Sequence, residues 1–524
     1  MSRSDYVLYP LSPYTSAGDP LVMDAPQSLD PVGKRVAVLG GGISGLAAAH
    51  RLREIAPWLE VVLLEAGGHL GGVLQTVKQD GFLVEWGADN FITNVPWAID
   101  LCRRIGYEDQ LVKTSPHSRK AFVVHKGRLC NIPEGFLIMA PNRVWPVLTT
   151  PILTWPGKLR LACERFVRPR TETSDESVAH FAIRRLGREV FERLVQPLVG
   201  GIYTADPYQL SLAATLPRFI EMEREHGSLI RAAKRQASAR PESTRGGSGA
   251  RYSLFTAPRE GMSHLVDALV ARLPHDSIRL NAPVQAIERQ TDGGWSLSIG
   301  AEAPQRMNVD ALIVAAPANR SGSLVENVDP NLAELMGRIP YASSAIVSLG
   351  FRRTQIKHPL DGSGFVVPLT EGRRILSGSF ASVKYPDRAP AGHELVRVFV
   401  GGACQPEMAE LPDEALRSVV LDELDELLGL DGEPVFEHIV RCRSQMPQYH
   451  LGHCELVQQI EAGVGEIDRF ELAGNAYHGV GMPHCIRSGE QAAERIAAIW
   501  ETVSGASSSS CTETPHPESH VGKS

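Results

Sequence analysis

Gly40, Gly42 and Gly45 stand between an apolar run, Arg35-Val36-Ala37-Val38-Leu39, and an alanine-rich stretch that opens at Ile43 and Ser44. A strand that halts at a glycine and restarts as a helix is a phosphate-binding device. The first glycine permits the tight turn, the second lets a pyrophosphate reach the backbone, and the third lets helix pack on strand, while the helix N-terminus supplies partial positive charge. Glu65 lies 20 residues after Gly45, at the end of a second apolar run, where a carboxylate can accept hydrogen bonds from a ribose diol. Glycines, helix and acid in register point to a bound dinucleotide rather than to a chance turn. A second glycine-rich turn, from Gly474-Asn475 to Val480-Gly481-Met482, again lies between an apolar run and an amphipathic stretch. Its backbone amides and helix dipole can stabilise a second anionic centre. No Ser/His/Asp arrangement accompanies these turns. His450, His453 and Cys454, or His484 with Cys485, lack the carboxylate or second cysteine that would complete a ligand set, so no metal is expected.

The elements that must hold these turns follow from periodicity. Arg35 to Leu39, the helical stretch to about Ile55 and Leu59 to Leu64 form one βαβ unit, which winds right-handed and makes parallel sheet. Ile278 to Leu280, Val309 to Ala315 and Phe470 to Ala473 are candidate strands that return to that sheet. The fold class is therefore α/β, with a discontinuous Rossmann-like domain over 34–114, 258–324 and 451–503. An α+β substrate-binding domain with a helical insertion takes 115–257 and 325–450. Residues 1–33, rich in Pro, Ser, Asp and Gly, read as a disordered lead-in, and the Ser-rich 504–524 as a disordered tail; Pro241 to Ala250 reads as a mobile loop. At 524 residues, with 43% hydrophobic and 22% charged residues, the chain has the composition of a soluble globular protein and no apolar run fit to span a bilayer. A net charge of −7 without a basic face argues against a nucleic-acid partner. Eight scattered cysteines without a C-x-x-C pair imply reduced thiols in the cytoplasm.

Glu65-Ala66-x-x-His69-x-Gly71-Gly72 resembles the signature of the large FAD-dependent oxidase and desaturase superfamily. The resemblance implies FAD as the cofactor. The paired glycines would let backbone amides crowd it, and His69 stands where the superfamily often has a basic residue; an ordinary loop histidine is the alternative. Gly87-Ala88-Asp89 resembles the segment that runs under the flavin. Val284, in Leu280-Asn281-Ala282-Pro283-Val284, stands where the superfamily contacts the adenine end. By the same resemblance the amides of Val480, Gly481 and Met482 face the isoalloxazine oxygens.

The closing motif, Pro197 to Pro207 with its Gly200-Gly201 pair, and Met446-Pro447-Gln448-Tyr449 with Gly452-His453 are together similar to the porphyrinogen oxidase family of haem biosynthesis, from about Lys34 to Trp500. That family oxidises protoporphyrinogen IX or coproporphyrinogen III to the porphyrin in three flavin turnovers, each closed by molecular oxygen. The likeness implies that a backbone carbonyl of Gly200-Gly201 faces the pyrrole nitrogens, with a tight structural turn as the alternative. Hydride removal from such a macrocycle needs a flat apolar cavity and no strong nucleophile. Where several members carry a propionate-binding arginine this chain has Ala121, and Arg119 or Lys120 would have to serve, which keeps coproporphyrinogen III level with protoporphyrinogen IX. The segment from Phe136 to Leu161, with Arg165, Arg168 and Arg170 beyond, lines the substrate cavity or lies peripherally on a membrane; its prolines favour the cavity. A hand-off of product to the next haem-pathway enzyme is a further expectation. The rival readings are a flavin amine oxidase, whose aromatic cage Met482 would break, a carotenoid desaturase, and a non-catalytic flavin or porphyrin carrier.

Overall fold

Five short apolar runs, far apart in the chain, assemble into one parallel sheet. A computed structural model describes residues 33–507 except 117–119, 142, 144, 173, 239–253 and 301–303. In it the strands are ordered Ile278–Arg279, Glu60–Leu64, Arg35–Leu39, Ala311–Val314 and Phe470–Leu472, and every neighbouring pair is parallel. The three strands expected to return to the first βαβ unit do so. Strands buried on both faces read as unbroken Val/Leu/Ile runs, and Val36, Val38, Leu63 and Ile313 are all buried.

Helix Ile43–Ile55 covers one face, and the C-terminal helix Met482–Ser507 packs across it. That crossing needs Gly489, because a Cβ there would strike the Ser44 carbonyl. The two ends of the polypeptide therefore meet at the helix that opens the glycine fingerprint. The C-terminal helix runs past the boundary placed at residue 503. An antiparallel meander, Val284–Arg289, Trp295–Ile299 and Gln305–Val309, seals the other face through Trp295 and Leu297.

A second, mixed sheet has seven strands in the order Phe436–Pro447, Tyr341–Arg352, His393–Gly401, Ser377–Phe380, Gly364–Val366, Phe122–His125 and Arg128–Asn131. All pairs are antiparallel except Gly364–Val366 with Phe122–His125. Helix Asp413–Leu428 packs on this sheet through Leu416, Val420 and Leu424. Strand Phe82–Glu85 also lies on it, with Phe82 and Phe436 stacked at 4.8 Å. Strand Phe255–Pro258 straddles the boundary expected at 257/258 and pairs with Phe91–Ile92 and Leu111–Lys113 of the N-terminal segment.

A helical layer between Trp145 and Ser238 has its own core around Phe181, Phe191 and Leu194. The buried Arg185 and Glu164 pair inside it. Glu164 also accepts from Ser228 Oγ at 2.6 Å and from the Leu229 amide at 2.9 Å, and so caps the helix that starts at Leu229. Among the described residues no helix is long and apolar enough to cross a membrane. The lead-in up to residue 32, the loop at 241–250 and the chain beyond 507 lie outside the described residues.

Candidate active site

The carboxyl ends of the parallel strands form one edge, and the sequence-predicted residues gather there. Gly40 follows strand Arg35–Leu39 at φ +109, and a Cβ on it would come within 2.5 Å of the Ala315 carbonyl, so only glycine fits this turn. Gly42 caps the helix from an extended conformation with no side-chain hydrogen bond to the first turn. A Cβ on Gly42 would meet nothing within 4 Å, whereas its neighbours are tightly enclosed. A helix N-terminus with uncapped amides beside such a cradle is the geometry a pyrophosphate requires, so the residues present fit a dinucleotide.

Glu65 directly follows strand Glu60–Leu64. Its carboxylate accepts the Gly41 amide at 2.7 Å and the Gly67 amide at 2.6 Å, which fixes the side chain at the mouth of the glycine turn. The loop after Ile278–Arg279 docks on the same residue: Ala282 N–H donates to the Glu65 carbonyl and Asn281 N–H to that of Gly67. This brings Val284 to the Glu65 end of the edge. Gly71 N–H donates to the Gly41 carbonyl, so Gly71-Gly72 face Gly42. Ala66 and His69 are exposed; His69 packs edge-on against Trp86 at 6.2 Å.

Gly474 closes the edge beyond strand Phe470–Leu472, with Ala316 beneath it. The following loop hangs on one side chain to which the sequence motif gives no role. Tyr449, 2% exposed, donates its hydroxyl to the Asn475 carbonyl at 2.6 Å and accepts the Gly479 amide at 2.8 Å. His453 stacks beneath its ring at 3.9 Å and donates Nε2–H to the Tyr477 carbonyl. Burial pushes the Tyr449 hydroxyl up and lowers the His453 imidazole to about 4, so both are neutral near pH 7. This strut sets Val480, Gly481 and Met482 at the start of the C-terminal helix. Cys485, one turn on, has its thiol pushed up to about 12 by burial.

A cavity of about 300 Å³ lies between the mixed sheet and helix Gln196–Tyr203, with Asp89 at its rim. Ile132, Leu198, Phe255, Phe365, Val366 and Phe399 make its wall apolar, and Asp89, Lys384, Ser377 and Ser379 give it one polar end. Asp89 belongs to the Gly87-Ala88-Asp89 segment, and its carboxylate meets Lys384 Nζ at 2.8 Å and the Arg397 guanidinium at 3.4 Å. Burial alone would raise its pKa; Lys384 and Arg397 overcome that and hold it at about 2. Arg397, itself buried, donates to the carbonyls of Glu85 and Gly87, tying that segment to the mixed sheet.

Three expectations need correction. Gly200 and Gly201 do not form a tight turn. They sit in helix Gln196–Tyr203, where the Gly200 carbonyl accepts the Thr204 amide at 2.9 Å; Gly201 lines the cavity and Gly200 is buried behind it. Lys120 is half-exposed and bonded to Asp361 at 2.6 Å, outside the cavity lining, and Arg119 lies outside the described residues. Among the described residues of Phe136 to Leu161, none lines the cavity. Trp145, Trp155 and Leu159 are instead at least two-thirds exposed, as is Phe166 just beyond. The helical layer buries their opposite face, a choice that apolar content alone does not reveal.

The sequence of the family of flavin-containing amine oxidoreductases matches residues 43–497. The chain is 32% identical to coproporphyrinogen III oxidase of Propionibacterium freudenreichii subsp. freudenreichii, over 98% of this chain and 99% of that one. It is 29% identical to protoporphyrinogen oxidase 2, chloroplastic/mitochondrial, of Arabidopsis thaliana over 90% and 95% of the two chains. A crystal structure from Exiguobacterium sp. 255-15, whose name provisionally assigns it as a protoporphyrinogen oxidase, superposes with a TM-score of 0.79 at 30% identity, covering 89% of this chain and 99% of that one. The chain belongs to the flavin-containing amine oxidoreductase family. Within that family its full-length relatives include coproporphyrinogen III and protoporphyrinogen oxidases.

Proposed function

We propose that the protein is an FAD-dependent porphyrinogen oxidase of haem biosynthesis, acting on coproporphyrinogen III or protoporphyrinogen IX with molecular oxygen as the final acceptor. The observation that carries the reading is the junction at Asp89. One segment, Gly87 to Asp89, packs at Gly87 against Val73, the residue after Gly71-Gly72, and at Asp89 lines an apolar cavity of ligand size. The near-complete alignment with coproporphyrinogen III oxidase supports the substrate class. The two sheets support a division into a cofactor domain, 34–114, 258–324 and 451–503, and a substrate domain, 115–257 and 325–450.

In this reading the amides from Gly40 to Gly45 hold the pyrophosphate, Glu65 the ribose and the backbone of Val284 the adenine end. Gly71-Gly72, Gly87-Ala88 and Val480 to Met482 frame the isoalloxazine. Bound FAD supplies the hydride acceptor that oxygen restores. The chain's own work is positional: the phenylalanine and aliphatic wall excludes water and holds a flat macrocycle, and the rigid edge fixes the distance between the reacting partners. The reaction is a net loss of hydride and proton from carbon and nitrogen, so no protein nucleophile is required. The exposed Trp145, Trp155, Leu159 and Phe166, with Lys158 over Trp155 and Arg165 over Phe166, support peripheral contact with a lipid surface, which vesicle flotation measures directly.

The test is a side-by-side assay in air. Purified yellow protein given coproporphyrinogen III, protoporphyrinogen IX or a primary amine should develop porphyrin fluorescence with at least one porphyrinogen and no turnover with the amine. Flavin-loaded protein that oxidises neither porphyrinogen overturns the reading.

A further inference from the structure

The cavity is apolar except at one end, and the charges at that end do not balance. Asp89, Lys384 and Ser379 face the cavity together, with Lys384 Nζ 2.8 Å from the Asp89 carboxylate and 3.3 Å from Ser379 Oγ. Behind them Arg397 approaches the same carboxylate at 3.4 Å. The next charged groups are committed elsewhere: Arg388 donates to the carbonyls of Pro258 and Arg259, and Glu85 accepts from Thr76 and the Met262 amide. Two cations thus surround one carboxylate. Asp89 is held ionised down to about pH 2, so the excess positive charge persists at any working pH.

The two cations differ in freedom. Arg397 has a side chain 2% exposed and both remaining contacts are to backbone carbonyls, so it cannot turn toward a ligand. Lys384 is 13% exposed and is the one cation in the cavity lining among the described residues. An ammonium has three N–H donors; two are directed at Asp89 and Ser379, and the third remains. A buried cation in excess over its counter-charge is costly unless an anion completes the set. A ligand with a flat hydrocarbon body and a carboxylate at its rim fits this wall.

We infer that Lys384 is the carboxylate-recognition residue of the cavity: seated by Asp89 and backed by Arg397, it receives a carboxylate side chain of the substrate, with the Ser379 hydroxyl alongside. This rests on the porphyrinogen reading for the identity of the ring. The incoming carboxylate brings the cluster to two cations and two anions. Asp89 and Arg397 are positioning residues: Asp89 is itself an anion, and Arg397, buried behind the cavity lining, is held against the Glu85 and Gly87 carbonyls.

The experiment is equilibrium binding of coproporphyrin III and of its tetramethyl ester to the holoprotein, followed by porphyrin fluorescence. Wild-type protein should bind the acid at least about tenfold more tightly than the ester. Lys384→Met should weaken the acid about tenfold and the ester less than about twofold, and Lys384→Arg should restore most of the difference. Equal weakening of acid and ester by Lys384→Met would assign the residue a structural role and overturn the inference. So would wild-type protein that does not distinguish acid from ester, a result that needs no variant to fold. Failure of the wild type to oxidise either porphyrinogen is a separate result, which removes the substrate reading and leaves the acid-versus-ester comparison as the measure of carboxylate recognition.

Discussion

Tyr449→Phe isolates one oxygen atom on which the C-terminal glycine loop depends. The substitution keeps the ring and its 3.9 Å stack on His453 and deletes the hydroxyl that joins the Asn475 carbonyl to the Gly479 amide. Each of the two buried hydrogen bonds contributes about 0.5–1.5 kcal/mol net, so their loss costs about 2 kcal/mol. Two loop groups are also left to find other partners. Because the loop leads directly into Val480 to Met482, most of that cost should appear in flavin affinity. At about 1.4 kcal/mol per tenfold, the dissociation constant rises about ten- to thirtyfold. Titration of stripped apoprotein with FAD, followed by flavin fluorescence, measures the constant, and urea unfolding of the same apoprotein measures what remains as stability. A Tyr449→Phe protein with wild-type flavin affinity and wild-type unfolding midpoint would refute the strut.

Gly42→Val fills the one open cradle in the fingerprint without touching protein atoms within 4 Å of the added Cβ. The variant should fold with wild-type circular dichroism and purify colourless, and yellow protein at full occupancy would contradict the phosphate placement. His453 should make stability pH-dependent. Burial beneath Tyr449 lowers its imidazole from 6.5 to about 4, so between those values the unfolded chain binds a proton that the native one does not. Stability from this group is whole above about pH 6.5 and falls as pH drops toward 4, by about 2 kcal/mol between pH 7 and pH 5. Denaturant titrations at the two pH values should show it, and His453→Gln should flatten it. Glu164→Ala leaves the fully buried Arg185 without its main counter-charge and uncaps the helix at Leu229. A loss of about 3–5 kcal/mol in urea unfolding is expected, with flavin content retained in the folded fraction.

The cofactor edge was legible because its signals are local. Gly40 and Gly45 announce a turn whose neighbours leave no room for a side chain, Glu65 follows at fixed spacing, and the returning strands Ala311–Val314 and Phe470–Leu472 are unbroken apolar runs. The polar end of the cavity was not legible, because sheet register creates it. Ser379 pairs with Arg397 across adjacent strands, and Asp89 arrives there from nearly three hundred residues earlier. The one available signal was Arg397 in the middle of Leu395 to Val400, since an arginine in an apolar strand is seldom buried without a partner. Gly200-Gly201 misled for the opposite reason. Adjacent glycines favour a turn, yet here they continue a helix whose preceding residues, Phe191–Val195, form a wide π-type turn, and the packing of Val195 and Val199 in the helical core outweighs the propensity.

In the proposed function this edge and this cavity together carry hydrogen from a porphyrinogen to a flavin. Anaerobic mixing of the yellow protein with one equivalent of coproporphyrinogen III, and separately of protoporphyrinogen IX, tests it in a single turnover. The flavin absorbance should bleach with at least one of them as the substrate is consumed, and return when air is admitted. Flavin that stays oxidised with both would contradict it.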